Sequence, residues 1–273
     1  MAGLKGENQI EKFRKIAGML VSQISSFDGV AGVILEGGLT RGFADKYSDV
    51  DITVFLSEKT ESLRKRIQKM GADEQERSSV DVDLSVHSLK EFKKRRWSEI
   101  DRWDYSHAEI VYDPRGEVRK VFNQKLRVSR GFWVRRVAVS AEYLKWYCCP
   151  PRMDVGTVAE AWIERGDLAS AHYCLTYSVD LMLRIVFALN KEFLPPQKWR
   201  IFYSYCLKWL PGDFEKLLGE AVMIKEMSAS DFKRRLDALR KIWRDVVPKI
   251  EEETGMTLNM LSKYYVQRVL RQN

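Results

Sequence analysis

The stretch from Val33 to Phe55, VILEGGLTRGFADKYSDVDITVF, decides the fold of the first part of the chain. Its first three residues, Val33, Ile34 and Leu35, are apolar and predict a buried strand. The strand ends at Gly37 and Gly38, where glycine lets the backbone turn sharply and approach a ligand closely. Thr40 and Arg41 then supply a hydroxyl group and a guanidinium group at a place where a phosphate can bind.

Two aspartates follow at the start of the next apolar segment. Residues two apart in a strand share a face, so Asp49 and Asp51 project together while Val50 and Ile52 point into the core. Two neighbouring carboxylates repel each other, and their pKa rises unless a cation lies between them. Because carboxylate oxygens are hard ligands and phosphate donors lie nearby, the pattern predicts a Mg²⁺ site.

This pattern resembles the nucleotidyltransferase superfamily of DNA polymerase β. The signature of that superfamily is a Gly-Gly or Gly-Ser turn, a gap of about ten residues, and Asp-x-Asp on the following strand. The closer likeness is to small two-domain members such as the aminoglycoside and lincosamide nucleotidyltransferases. The resemblance implies that Asp49 and Asp51 are catalytic and hold one or two Mg²⁺ ions. It also implies a site for a nucleoside triphosphate, ATP or another, formed by Gly37, Gly38, Thr40, Arg41 and Ser48.

The superfamily has a third carboxylate on a later strand, and the segment Ser79–His87 offers two candidates. This segment alternates with period two, so Asp81 and Asp83 share one polar face. Such alternation is ordinarily explained by a half-buried strand with one face in water. The aminoglycoside members place their acid six residues before a His, which favours Asp81, six residues before His87, as the third metal ligand. Asp83 remains the second catalytic candidate.

Beyond about residue 128 the strand patterns end and the apolar spacing becomes helical. We therefore predict an α+β protein: a nucleotidyltransferase domain with a mixed sheet over residues 1–128, and an all-α bundle that binds the acceptor over residues 129–273. Part of the second half resembles the helical half of small-molecule nucleotidyltransferases. That likeness makes Lys198 a candidate to bind phosphates, although a solvated lysine beside a proline loop explains it equally well. Arg165 and His172 have a spacing found in some helical ribonuclease domains, but a core or interhelical role for His172 is favoured.

Composition narrows the class of protein. A net charge of +8 favours an anionic partner such as a nucleotide or a nucleic acid. The four cysteines have no metal-ligand spacing, so zinc is not expected. We read neither a signal peptide nor an uncharged membrane span, which predicts a cytoplasmic protein without a membrane partner.

The expected activity is Mg²⁺-dependent transfer of a nucleoside monophosphate, AMP from ATP, to a hydroxyl group of a small molecule. Two alternatives stay open. The acceptor can be RNA or a protein side chain, or the chain can be a nucleotide-binding or antitoxin-like module without catalysis. Three clustered acids argue against a module without catalysis, because a binding module does not need them.

Overall fold

The computed structural model describes residues 4–58, 60–150 and 156–270. The chain divides into two compact units, Met1–Val128 and Ser129–Asn273. In the first unit the described elements are, in chain order, α1 (Ile10–Ser25), β1 (Val30–Leu35), α2 (Gly37–Arg41), β2 (Val50–Leu56), α3 (Glu61–Ser78), β3 (Val82–Ser88), α4 (Leu89–Lys94), α5 (Glu99–Ser106), β4 (Glu109–Tyr112) and α6 (Glu117–Leu126).

The four strands of the first unit form one sheet in the order β3-β2-β1-β4. Strand β1 is antiparallel to both β2 and β4, whereas β2 and β3 run parallel. The predicted mixed sheet is therefore confirmed. The parallel pair follows from its connection, because the long helix α3 carries the chain back to the starting edge of the sheet before β3 begins.

Each face of the sheet packs against its own hydrophobic cluster. Val50, Ile52 and Val54 of β2 enter a cluster shared with α1 and α3. Phe55 of β2 and Ile34 of β1 enter a second cluster shared with α4, α5 and α6. Since side chains alternate along a strand, Asp51 lies on the same face of β2 as Phe55, near the start of the strand.

Helix α3 continues past the point where the sequence predicts its end. The charged segment Glu61–Met70 predicts a surface helix that ends at Gly71, and this prediction of the end is wrong because α3 runs on to Ser78. A Cβ atom at Gly71 would lie 2.9 Å from the Leu84 side chain on β3. The glycine therefore allows close packing of the helix on the sheet and does not end the helix.

In the described residues of the second unit, all regular elements are helices, as predicted. Its helices are α7 (Arg130–Tyr147), α8 (Val158–Glu164), α9 (Leu168–Leu189), α10 (Gln197–Ser204), α11 (Phe214–Val222), α12 (Ala229–Thr254) and α13 (Leu258–Arg268). Helix α9 is the central element and packs against α7, α8 and α12. The side chain of Asp167 caps α9 by accepting a hydrogen bond from the Ser170 N–H, at 3.0 Å.

Helix α9 is also, by length and composition alone, apolar enough to cross a membrane, and it is the one such helix in the described ranges. Two thirds of its most apolar stretch, 67%, is buried inside the protein. It carries Asp180 and Arg184, which form an ion pair at 2.8 Å. These properties are those of the core helix of a bundle.

Candidate active site

The turn after β1 has no room for side chains at its two glycines. Gly37 has a φ of +63°, which favours glycine, and a Cβ atom there would lie 1.7 Å from Oδ2 of Asp51. A Cβ atom at Gly38 would lie 2.7 Å from the carbonyl oxygen of Phe43. The superfamily often has Ser at the second position, and this contact explains why a serine does not fit here. The turn thus brings its backbone directly against the Asp51 carboxylate.

Asp49 and Asp51 are close to each other, as the sequence predicts. Asp49 immediately precedes β2 and Asp51 is its second residue. The pKa of Asp51 is raised to about 7, first by burial and then by the charges of Asp49 and Glu36, and the two aspartates are within hydrogen-bond reach. With a pKa of about 7, Asp51 keeps a proton in a large part of the molecules at neutral pH unless a cation replaces it.

The sheet register pairs Asp51 with Asp83 of the neighbouring parallel strand. The charge of Asp83 contributes to the raised pKa of Asp51. Asp81 lies just before β3 and is exposed, and its carbonyl oxygen accepts the Val50 N–H at 2.9 Å. Of the two candidates for the third acid, the structure therefore places Asp83 beside Asp51, and the role of Asp81 stays a prediction.

Glu36 is a fourth acid of the site that the sequence analysis missed. Its N–H donates to the Asp51 carbonyl oxygen at 3.1 Å, and its Oε2 accepts a 2.6 Å hydrogen bond from the Thr53 hydroxyl. Burial is the main reason that the pKa of Glu36 is raised to about 7, and the charges of Asp104 and Asp83 add to it, while the Thr53 hydrogen bond opposes the rise. Glu36, directly after β1, thus lies beside Asp51 of β2, which is in turn paired with Asp83 of β3. The available signal was a lone glutamate at the end of an apolar strand, directly before two glycines.

The other predicted nucleotide-binding residues have structural contacts of their own. The Thr40 hydroxyl donates to the Gly37 carbonyl at 3.2 Å, and the Ser48 hydroxyl accepts the Asp45 N–H at 3.0 Å. The Arg41 guanidinium lies 5.3 Å from the centre of the Trp103 ring. Thr40 and Ser48 therefore stabilise the loop that shapes the site, and their contact with a nucleotide stays a prediction.

The candidates in the second unit are spread over several helices. Lys198 is exposed in the first turn of α10. His172 of α9 contacts Arg235 of α12 through its Nδ1 atom at 3.0 Å, so the interhelical interpretation is confirmed. Arg165 lies at the end of α8 with its guanidinium 4.9 Å from the Trp162 ring centre. A role for Lys198 at the phosphates stays a prediction.

The acidic side chains fit a metal ion that arrives with a nucleotide. Among the described residues, no three His, Cys, Asp or Glu side chains are close enough to hold a metal by themselves. Mg²⁺, however, is commonly bound through one or two carboxylates, with substrate phosphates and waters completing its coordination. Asp49 and Asp51 supply such a pair, and the missing Cβ of Gly37 lets the glycine turn lie directly against Oδ2 of Asp51.

Two solved structures resemble this chain distantly. A nucleotidyltransferase-like protein from Exiguobacterium sibiricum has 11% identity and a TM-score of 0.43, with 88% of this chain and 77% of that chain covered. A mutant of the toxin–antitoxin pair MntA–HpeT has 14% identity and a TM-score of 0.33, with 48% of this chain and 96% of that chain covered. No curated protein matches the sequence. These likenesses assign neither a substrate nor a partner to this chain.

The match to a protein-family model lies within the first unit. Residues 14–106 match the model described as the nucleotidyltransferase domain. The matched range contains the Gly37 turn, the Asp49–Asp51 pair and both candidates for the third acid. Residues 14–106 are therefore a nucleotidyltransferase domain of the DNA polymerase β-like superfamily, and this domain supports a nucleotidyl-transferring activity.

Proposed function

We propose that the protein transfers a nucleoside monophosphate, AMP from ATP, to a hydroxyl group of an acceptor in a Mg²⁺-dependent reaction that releases pyrophosphate. The observation that carries this proposal is the contact between Gly37 and Asp51, whose carboxyl group is within hydrogen-bond reach of Asp49. Catalysis of this reaction needs phosphates held beside carboxylates that bind a divalent cation, and a glycine turn against a pair of carboxylates supports such a site.

The proposed reaction assigns tasks to the acids, the glycine turn and Arg41. Asp49 and Asp51 would hold Mg²⁺, which would supply positive charge to the α-phosphate and the leaving pyrophosphate. The backbone N–H groups of the Gly37–Gly38 turn orient the phosphates, and Arg41 offsets negative charge on the leaving group. Asp83 accepts the proton of the attacking hydroxyl. The hydroxyl oxygen forms a bond to the α-phosphorus, while the bond from that phosphorus to the β-phosphate bridging oxygen breaks.

The acceptor is a separate part of the proposal. A small molecule with a hydroxyl group is the acceptor that the resemblance favours, and the helical second unit is its proposed binding domain. RNA is a weaker alternative that the net positive charge permits. A protein side chain has a specific structural observation in its favour: within the described residues, β3 pairs on one side only, with β2. We place the reaction in the cytoplasm.

The test is release of pyrophosphate from labelled ATP and Mg²⁺ in the presence of hydroxyl-bearing antibiotics, RNA or co-expressed proteins. We expect one acceptor class to become labelled and Asp51→Ala to abolish the labelling. An Asp51→Ala protein as active as the wild type would rule out this site. Nucleotide binding without transfer to any acceptor would support the non-catalytic alternative.

A further inference from the structure

Strand β3 lies at the edge of the sheet and carries Asp83. Within the described residues it pairs on one side only, with β2. Because successive residues of a strand direct their backbone groups to opposite sides, every second residue of β3 faces away from β2. The Asp81 carbonyl accepts the Val50 N–H, so Val82, Leu84 and Val86 are the residues that face outward.

The outward side of β3 is closed at one position and open at the next two. The Val82 N–H donates to the Gln75 side chain at 3.3 Å. In the described part of the chain, the outward N–H and C=O groups of Leu84 and Val86 have no hydrogen-bond partner. These groups repeat every second residue, which is the spacing that an added strand requires.

A cavity of about 310 Å³ runs along this edge. Residues from both faces of β3 line it, among them Asp83 on one face and Leu84 on the other, which is possible only for a cavity at the side of the strand. Arg64 and Gln68 of α3 form one wall, and Glu91 of α4 contributes to another. Asp83 is thus shared between the cavity and the candidate active site.

We propose that the outer edge of β3 binds an extended segment of a protein substrate as an added strand and places its Ser, Thr or Tyr hydroxyl beside Asp83. The segment pairs with the backbone of Leu84 and Val86 and fills the cavity with one side chain. This inference rests on the proposed function and specifies its acceptor. In the transfer step the hydroxyl oxygen bonds to the α-phosphorus, pyrophosphate leaves, and Asp83 receives the proton.

The lining of the cavity agrees with a peptide better than with the other ligands of this reaction. It has no Phe, Tyr or Trp, and His87 is its single aromatic ring on which a base can stack. Its one arginine, Arg64, is matched by the acids Asp83 and Glu91, so it lacks the positive charge that a triphosphate or an RNA backbone needs. The main groups left for recognition are the outward N–H and C=O groups of Leu84 and Val86. Groups of this kind bind the backbone of another extended segment.

The experiment uses the full chain, Mg²⁺, ATP and an array of synthetic peptides that each carry one Ser, Thr or Tyr, with transfer detected as the added mass of AMP. Glycerol and methyl glucoside serve as small hydroxyl probes. Val86→Pro removes an outward N–H, a change that edge strands tolerate. Gln68→Trp fills the cavity from an exposed helix position, and Lys69→Trp, at the next exposed position of α3, is the matched control.

We expect peptides to be modified, and the KM for the best peptide to rise at least about tenfold in Val86→Pro and Gln68→Trp but not in Lys69→Trp. Amide exchange at Leu84 and Val86 should slow when that peptide binds. Labelling of glycerol or methyl glucoside without any peptide would overturn the inference and leave the proposed function intact. No transfer to any probe would count against the proposed function as well. A dimer that Val86→Pro dissociates would show that a second copy of the chain occupies the edge, and it would overturn the inference too.

Discussion

Asp51 of β2 and Asp83 of β3 occupy directly paired positions of two parallel neighbouring strands. Paired residues in neighbouring strands point to the same face, so the two carboxylates lie side by side. A shift of the register by one residue would replace Asp83 with an apolar neighbour and direct the acid to the other face. The strand register, more than the spacing of acids along the chain, therefore favours Asp83 as the proposed third acid of the site.

The first prediction separates the two candidates for this acid. Asp83→Asn should lower kcat/KM for nucleotidyl transfer at least about 100-fold, because it removes the group that accepts the proton. Asp81→Asn should cost less than about threefold, the size of a surface change away from the reacting atoms. Steady-state kinetics with the acceptor found by screening measures both. A larger loss in Asp81→Asn than in Asp83→Asn would restore Asp81 as the third acid.

The second prediction concerns stability in the absence of metal. Asp51 has a pKa of 3.8 when unperturbed and about 7 in the folded protein, so the folded state binds its proton more tightly. Raising the pH from about 4 to 8 removes that proton, and the free energy of unfolding falls. Asp51→Asn avoids this loss and should be about 1–3 kcal/mol more stable than wild type at pH 8 while being inactive.

Urea denaturation in EDTA at pH 5 and pH 8 measures this difference. Asp28→Asn, at an exposed position, is the control and should leave stability nearly unchanged. If Asp51→Asn and wild type lost stability equally between the two pH values, the Asp51 carboxyl would not be the group whose deprotonation destabilises the folded protein.

The third prediction links metal binding to the same proton. Mg²⁺ must displace the proton of Asp51, so its affinity should fall as the pH drops below about 7. In thermal unfolding with ATP, added Mg²⁺ should raise the midpoint more at pH 8 than at pH 6, and saturation at 100 times Kd corresponds to about 2.7 kcal/mol. Asp51→Asn should remove the effect. A midpoint shift of equal size at both pH values would argue against Asp51 as a ligand.

The fourth prediction tests the contact between the turn and the acids. Gly37→Ala forces a Cβ atom into the space of the Asp51 carboxylate and requires an unfavourable φ of +63°. We expect a loss of at least about 1–3 kcal/mol in stability and loss of Mg²⁺-dependent activity. Gly18→Ala in α1, where no atom lies within 4 Å of the new Cβ, is the control and should be neutral or stabilising. Normal Mg²⁺ binding in Gly37→Ala would disprove the proposed geometry.

The fifth prediction assigns an electrostatic role to Glu36. Its charge helps to raise the pKa of Asp51. Glu36→Gln keeps an acceptor for the Thr53 hydroxyl and removes the charge, so the pKa of Asp51 should fall. The acidic limb of the pH–rate profile should then move to lower pH, with kcat retained at pH 8. A profile identical to that of the wild type would show that Glu36 only supports the fold.

Much of the first unit was predictable because its signals are local. The apolar run before Gly37, the Asp49–Asp51 spacing and the alternation that leads into β3 each lie within a few residues. The start of α4 is also local, since the Ser88 side chain accepts the Glu91 N–H as a helix cap. In contrast, Gly71 was predicted to end a helix because glycine often does so. Its actual role, close packing against Leu84 of β3, involves a residue on another element and leaves no local pattern.

The sequence by itself determined the order of the candidate functional segments along the chain: a glycine turn, a pair of acids and a later acidic strand in an α+β protein. Only the tertiary structure decided that Asp83 lies beside Asp51, that Glu36 joins them and that β3 has an open edge. The physical reason is that hydrogen bonds between β2 and β3 join residues about 30 positions apart in the sequence, and neighbouring residues do not encode that register.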